Sequence, residues 1–352
     1  MEVKGHESKG LRVSDRGRST TRARARLSDV AELARVSIGT ASRALSGNGR
    51  MRSETRRRVQ DAARSLDFRP NPQAQSLHTG RSWTVGLITA DGIGRFSIPV
   101  LLGAEDALGA GRISVLLCDT RGDLIRERHY LQNLMDRRVD GIIVTGRRTD
   151  PRPPLAGVHD GVPVVYALAP STDPTDISVI SDDDQGCGLA IEHLLVGGRT
   201  RIAHVTGPAH HKAAADRARF TERLLNDASL ELATGRAHFG DWSEAWGRRA
   251  ADMVLRTAPG TDAFFCGNDQ IARGVADTLR ERGVRVPDEV AVIGYDNWDA
   301  MALASRPPLT TVDVDLTEIG RIAALRLLDA IDDNPSPGLH QVPCRLVVRD
   351  SA

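Results

Sequence analysis

The sequence predicts an α/β protein in two parts: a small helical head followed by two doubly wound parallel α/β lobes. Three observations carry this. Apolar β-like runs alternate with amphipathic helical stretches through residues 83–350, the pattern of parallel sheets covered by helices. Two short helical segments at 27–46 are joined by the break Arg35-Val36-Ser37, which suits a helix-turn-helix. Charge is also divided. Residues 1–80 hold 17 Lys and Arg against 8 Asp and Glu, a balance of +9, and the remaining 272 hold 30 against 38, a balance of −8. The formal net charge of +1 therefore conceals a basic head on an acidic body. That split points to an anionic partner for the head alone.

A length of 352 residues suggests about two domains. Hydrophobic content of 40% and charged content of 26% are ordinary for a globular protein and exclude a collagenous or disordered chain. No apolar run approaches the ~18 residues of a membrane span, and the N-terminus has no apolar signal-peptide core. Cys118, Cys187, Cys266 and Cys344 stand far apart without a CxxC pair. They read as buried thiols in a reducing cytoplasm, not as a disulfide or zinc framework. Residues 1–26 carry RGRSTTRARAR and too few apolar groups to offset ordering. They are expected to be a disordered basic tail, touching DNA phosphates or inert.

In the head, Ser28 is expected to cap a first helix with Val30, Ala31, Leu33 and Ala34 on its apolar face. Ser37 caps a second, Ile38 to Ser46, with Ala41, Ala44 and Leu45 turned inward. The second helix of such a motif enters the major groove by its N-terminal residues. Its exposed positions are Ile38, Gly39 and Arg43, with Ser37, Thr40 and Ser42 available for phosphates. Arg43 is the strong base reader, because a guanidinium forks onto guanine O6 and N7, and Ile38 suits a thymine methyl. A third helix starts at Ser53, with Val59, Ala62, Ala63 and Leu66 at helical spacing, and ends at Phe68-Arg69-Pro70.

In the larger part, strands are expected at Thr84–Thr89, Ile113–Cys118, Gly141–Val144, Pro163–Ala167, Ile177–Ser181, Arg201–Val205, Ala263–Cys266 and Val290–Gly294. Helices are expected at Val100–Ala110, Ile125–Arg137, Gly186–Leu195, Ala213–Asp227, Ser243–Arg256, Asp269–Arg282 and Leu316–Ile331. Ligands of doubly wound folds sit at the carboxyl ends of strands. Asp296 in GYDN and Asn268 in GND each follow a strand there. A carboxylate accepts two hydroxyl hydrogen bonds, and an amide both donates and accepts. Asp269 is a candidate cap for the helix after it.

The run from Asp29 to Ile88, DVAELARVSIGTASRALSGNGRMRSETRRRVQDAARSLDFRPNPQAQSLHTGRSWTVGLI, resembles the opening of the lactose-repressor (LacI/GalR-type) family of bacterial transcription regulators. The pattern continues in VDGIIV (139–144), GNDQIARGV (267–275), VPDEVAVIGYDN (286–297) and PPLTTVDVD (307–315). The resemblance covers nearly everything after residue 26. It implies a helix-turn-helix domain at 27–69, a hinge at 70–80, and an effector-binding and dimerisation domain at 81–352. That domain is expected to be a two-lobed, periplasmic-binding-protein-like (type I) core. Its N-lobe takes about 83–180 plus 312–340, and its C-lobe about 181–311 plus 341–350. Crossings fall near Ser181–Asp184, Arg306–Thr311 and His340.

In the family the hinge becomes a short helix on operator DNA. Leu77 falls on the position that wedges into a central base step, and Asn71, Ala74 and Gln75 lie on neighbouring hinge positions. An apolar wedge unstacks one step and bends the duplex, allowing further contacts. For the effector, the resemblance implies Trp242 stacking on a sugar ring, Asn268 and Asp296 on hydroxyls, and Phe96 and Ser97 in a loop that closes over the ligand. Arg95 stands where a proline is usual. Two departures bear on the ligand. Ala213-Ala214-Ala215 runs through the zone where an arginine usually pairs with the aspartate, with Arg217 close by, and Leu168 replaces a frequent aspartate. Asp182-Asp183-Asp184 is expected to cap a helix.

No metal spacing, cofactor motif or catalytic motif is present, and the adjacent pair His210-His211 is ill placed to share one metal. The expectation is a non-enzymatic, cytoplasmic, homodimeric repressor of near-palindromic operator DNA, switched by a small ligand, first of all a sugar. With no leucine-heptad tail, a tetramer is not expected. The alternatives are a purine or phosphorylated effector, or a sugar-binding module without DNA activity.

Overall fold

A computed structural model describes residues 25–46, 51–68, 81–109, 113–159 and 161–352. The chain divides into two compact units, one ending at Gly80 and one beginning at Arg81.

The first unit holds α1 (Leu27–Leu33), α2 (Ile38–Ser46) and α3 (Ser53–Ser65). Its core is small: Val30, Ala31, Ala34, Ala41, Ala44, Val59, Ala62 and Ala63, edged by Leu45, Leu66 and Phe68. Alanine at the crossings lets three short helices approach closely. Arg35 turns the chain in the left-handed region at φ 51°, where the N–H of Val36 donates to the Ala31 carbonyl at 3.0 Å and closes α1. Ser37 Oγ accepts from the Thr40 N–H at 3.1 Å, capping α2 as expected. Two details differ. Ser28 lies inside α1, and Asp29 instead accepts from the Arg26 N–H at 2.8 Å. Leu33 is exposed, because helical spacing turns it away from the face that Val30, Ala31 and Ala34 bury. Arg58 ties α3 to α1, its Nε–H donating to the Ala34 carbonyl at 2.9 Å. The hinge residues Asn71, Ala74, Gln75 and Leu77 and most of the basic tail lie outside the described residues.

The second unit runs β1 (Thr84–Thr89), α4 (Ser97–Ala107), β2 (Ser114–Asp119), α5 (Leu124–Asp136), β3 (Gly141–Thr145), β4 (Val164–Ala167), β5 (Ile177–Ser181) and α6 (Asp183–Val196). It continues through β6 (Ile202–Thr206), α7 (Lys212–Asp227), β7 (His238–Phe239), α8 (Glu244–Thr257), β8 (Ala263–Cys266), α9 (Asp269–Glu281) and β9 (Ala291–Tyr295). Last come α10 (Asp299–Ala302), β10 (Thr310–Asp313), α11 (Leu316–Ile331), β11 (Gly338–Val342) and β12 (Arg345–Val347).

Two six-stranded sheets result, ordered β11-β5-β4-β3-β1-β2 and β12-β10-β9-β8-β6-β7. The first is parallel throughout, and the second is parallel except where β12 meets β10. Central strands such as β3 and β6 are buried at every position, as sheets covered on both faces require. Each sheet has one apolar cluster per face.

The eight expected strands are present, several displaced by one residue. Sequence reading missed β7, β10, β11 and β12. β7 is two residues long, and β10 reads TTVD. β11 and β12 are edge strands with exposed positions, so neither shows an apolar run. Two crossings consequently move. Because β10 pairs with β9, the second falls after Asp313 instead of near 306–311. Because β11 pairs with β5 as far as Val342, the third falls just after that residue, two positions beyond His340. Asp182 caps α6, accepting from the Gln185 N–H, but Asp183 and Asp184 are already helical. All four cysteines are free. Among the described residues no helix is long and apolar enough to cross a membrane.

Candidate functional site

The facing ends of the two sheets enclose a cavity of about 400 Å³. Five of the six expected effector residues line it: Phe96, Arg217, Trp242, Asn268 and Asp296. Ser97 does not. It is buried, and its N–H and hydroxyl both turn to Asp91, whose Oδ2 also accepts from the Phe96 N–H at 2.7 Å. Asp91 thus fastens the start of α4. It caps from five residues away, outside the usual N-cap spacing, and so was not legible beforehand.

Asp296 follows β9 at φ 93°, a strained setting for a side-chain-bearing residue that aims its carboxylate into the cavity. Arg95 ion-pairs with it from the other lobe, and Arg217 Nη1 lies 3.7 Å away. Burial pushes the Asp296 carboxyl above its usual range, while the two guanidiniums pull against that shift. Arg95 also lies over Trp298 at 4.2 Å and Phe96 at 4.7 Å, a stacked position suited to a flat cation.

Arg217 on α7 is itself buried. It donates to Asp183 Oδ2 at 3.1 Å and to the Gly267 carbonyl at 2.7 Å, over the Tyr295 ring at 3.6 Å. Burial opposes its charge, but Asp183 and the other anions around it raise its pKa overall. Asn268 caps α9, its Oδ1 accepting from the Ile271 N–H at 2.9 Å. That leaves its Nδ2 amide to offer a ligand. Asp269 is not the cap. Fully buried, it accepts from the Thr311 hydroxyl at 2.5 Å and the Trp298 N–H at 2.6 Å. Burial, then Asp296, raises its pKa to about 7.

Trp242 packs against Gly207, where any side chain would overlap the indole. Its Nε1–H donates to His211 Nδ1 at 2.8 Å, with the two rings within 14° of coplanar and their centroids 6.4 Å apart. A hydrogen bond along the ring planes sets the imidazole beside the indole, which widens one flat wall. His211 Nε2 in turn faces Arg148 Nη1 at 2.6 Å. Arg95, His211, Arg148, Gln270 and Trp298 all line the cavity without having been expected as site residues. Among the described residues no group of His, Cys, Asp or Glu could hold a metal ion.

On the head, Ile38, Gly39 and Arg43 are exposed along one side of α2, and Ser37 is exposed at its start. Thr40 and Ser42 are half-buried. The Arg43 Nε–H donates to the Gly39 carbonyl at 3.3 Å.

A helix-turn-helix head joined to a two-lobed cleft defines a DNA-binding transcriptional regulator with a small-molecule-binding domain. Comparison with known proteins identifies the group. Residues 26–71 match the bacterial regulatory proteins of the lacI family, and residues 191–352 match the periplasmic binding protein-like domain. The HTH-type transcriptional repressor PurR of Aliivibrio fischeri (strain MJ11) is 32% identical over 313 residues, 88% of this chain and 92% of that protein. A solved complex of the transcriptional regulator CelR with cellobiose superposes with a TM-score of 0.65 at 29% identity, covering 94% of this chain and all of that one. The lac repressor dimer bound to operator and the anti-inducer ONPF gives a TM-score of 0.74 at 26% identity, covering 93% and 99%. The chain belongs to the LacI/GalR family.

Proposed function

We propose that the chain is a homodimeric repressor whose α2 reads one half of a near-palindromic operator, and whose effector is a sugar held between the lobes. Arg43 and Ile38 contact base edges beside Gly39, and Ser37, Thr40 and Ser42 contact phosphates. Leu77 wedges the central step, with Asn71, Ala74 and Gln75 in the minor groove beside it. A two-fold dimer matches a two-fold site. The chain acts by binding, without a chemical step and without a cofactor, in the cytoplasm. The observation that carries the effector reading is the placement of the Trp242 indole in one cavity with Asn268, Arg217 and Asp296. An aromatic face suits a sugar's C–H face, and the three polar groups suit its hydroxyls. Effector binding shifts the balance between lobe arrangements, and so between hinge arrangements.

A purine is the second reading, favoured by relatives named PurR. Against it, the ring faces a base would use on Phe96 and Trp298 are met by the Arg95 guanidinium. Thermal shift of the purified protein against sugars and nucleobases separates the two, with Trp242→Ala and Asp296→Asn as controls. A melting point raised by a purine and by no sugar overturns the sugar reading.

A further inference from the structure

We propose that Arg148 and His211 form a seat for an anionic oxygen, so that the effector is a hydroxylated molecule bearing a carboxylate or a phosphate. This rests on the sugar reading above and narrows it.

The argument starts from hydrogen-bond inventory. An indole N–H only donates, and so does every guanidinium N–H. His211 Nδ1 accepts from Trp242 Nε1–H at 2.8 Å, so a neutral imidazole carries its proton on Nε2. That N–H points at Arg148 Nη1, 2.6 Å away. Two donors therefore converge with no acceptor between them. The other tautomer only moves the conflict to Trp242, and an imidazolium creates it at both ends. Burial, and then the Arg148 charge, lowers the His211 pKa, in keeping with a neutral ring. An anionic oxygen accepting from both Nε2–H and Nη1–H resolves the conflict with two charge-assisted bonds.

The surroundings do not supply that oxygen. Asp150 stands 3.8 Å from the Arg148 Nε, and its Oδ1 accepts from the Lys212 N–H at 2.8 Å. Lys212 Nζ is engaged by Asp216. Arg147, exposed beside Arg148, lines the same cavity and adds a second positive charge. His210 meets the His211 ring edge-on and brings no acidic group.

The position also fits one molecule. Arg147 and Arg148 follow β3 in the first lobe, while His211 and Trp242 belong to the second. An anion seated here links the lobes, with Trp242 beside it for a ring and Asp296 and Asn268 in the same cavity for hydroxyls. Binding of the anionic group and closure of the lobes are then one event. His211 holds Trp242 on one side and contacts the anion with its other N–H.

The test is calorimetry and thermal shift on the full chain with glucose, glucuronate, gluconate, glucose 6-phosphate, inorganic phosphate and the purine nucleobases. A carboxylate or phosphate sugar should bind about tenfold to a hundredfold tighter than its neutral counterpart. The carboxylate and phosphate arms decide which group is seated. Arg148→Gln should collapse that preference below about twofold, Arg148→Lys should keep part of it, and His211→Phe should lose it while the fold melts normally. Equal affinity for neutral and anionic sugars overturns this proposal and leaves the sugar reading standing. A response to purines alone overturns both. No response to any anionic probe, or a preference that survives Arg148→Gln, overturns the anion seat.

Discussion

Arg95 of the first lobe is ion-paired across the cleft with Asp296 of the second, 201 residues later, with both side chains nearly buried. The guanidinium also covers Trp298 and Phe96, so one side chain bridges the lobes by charge and by stacking. Removing it leaves Arg217, at 3.7 Å, as the cation paired with Asp296 among the described residues. Arg95→Ala should lower the unfolding free energy of the sensor by about 1–3 kcal/mol. It should also increase the radius of gyration of the effector-free protein in small-angle scattering. Arg95→Lys should recover charge but not stacking, and so only part of the stability. An unchanged melting curve and radius in Arg95→Ala would show that the bridge holds nothing.

On the head, two arginines make opposite predictions. Arg43 is exposed on the side of α2 that we propose reads DNA, and Arg58 spans from α3 to the end of α1. Arg43→Ala should weaken operator binding by about 1–3 kcal/mol and relax preference at one base position, without changing head stability. Arg58→Ala should destabilise the head by about 1 kcal/mol through the lost bond to Ala34. Gel-shift titrations beside urea unfolding separate the two. Operator retention unaffected by Arg43→Ala would favour a chain that does not read DNA with α2.

Gly103 on α4 and Gly320 on α11 let those helices touch backbone to backbone. A methyl group at Gly103 would overlap the Thr317 carbonyl oxygen, and one at Gly320 the Val100 carbonyl oxygen. Backbone cannot rotate away as a side chain can. Gly103→Ala should therefore cost about 1–3 kcal/mol or more, despite its better helix propensity. Denaturant melts that show Gly103→Ala to be neutral would mean the helices separate freely.

Asp269 makes stability depend on pH. Its carboxyl rises from 3.8 to about 7 on folding, chiefly through burial. Between those values the folded chain keeps a proton that the unfolded chain releases. The stabilisation is therefore complete below the unfolded value and is lost as pH rises through about 7, with a slope of up to about 1.4 kcal/mol per pH unit. Urea unfolding of the sensor at pH 5 and pH 8 should show the wild type losing stability at the higher pH, and Asp269→Asn should flatten that loss. A slope of the opposite sign that vanishes in Asp269→Asn would mean the bonds from Thr311 and Trp298 outweigh burial.

Much of the architecture could be read from local pattern. The alternation of apolar runs with helical periodicity marked the two doubly wound lobes, because a strand buried on both faces must be apolar throughout. The head followed from Ser37 and the alanines at 41 and 44, since a cap and a small-residue crossing act within one turn of helix. Asn268 and Asp296 were legible as site candidates because each lies within two residues of a strand end, where this fold opens its cleft. The rest depended on side chains distant in sequence. Arg95 reaches Asp296, Arg217 reaches Asp183, and Trp242 reaches His211 and through it Arg148. Each of these pairs joins different elements, and no spacing along the chain encodes them. Hydrogen-bond and charge complementarity between such groups exists only once two sheets face each other, so folding decided which polar groups line the cleft and which of them still require an acceptor.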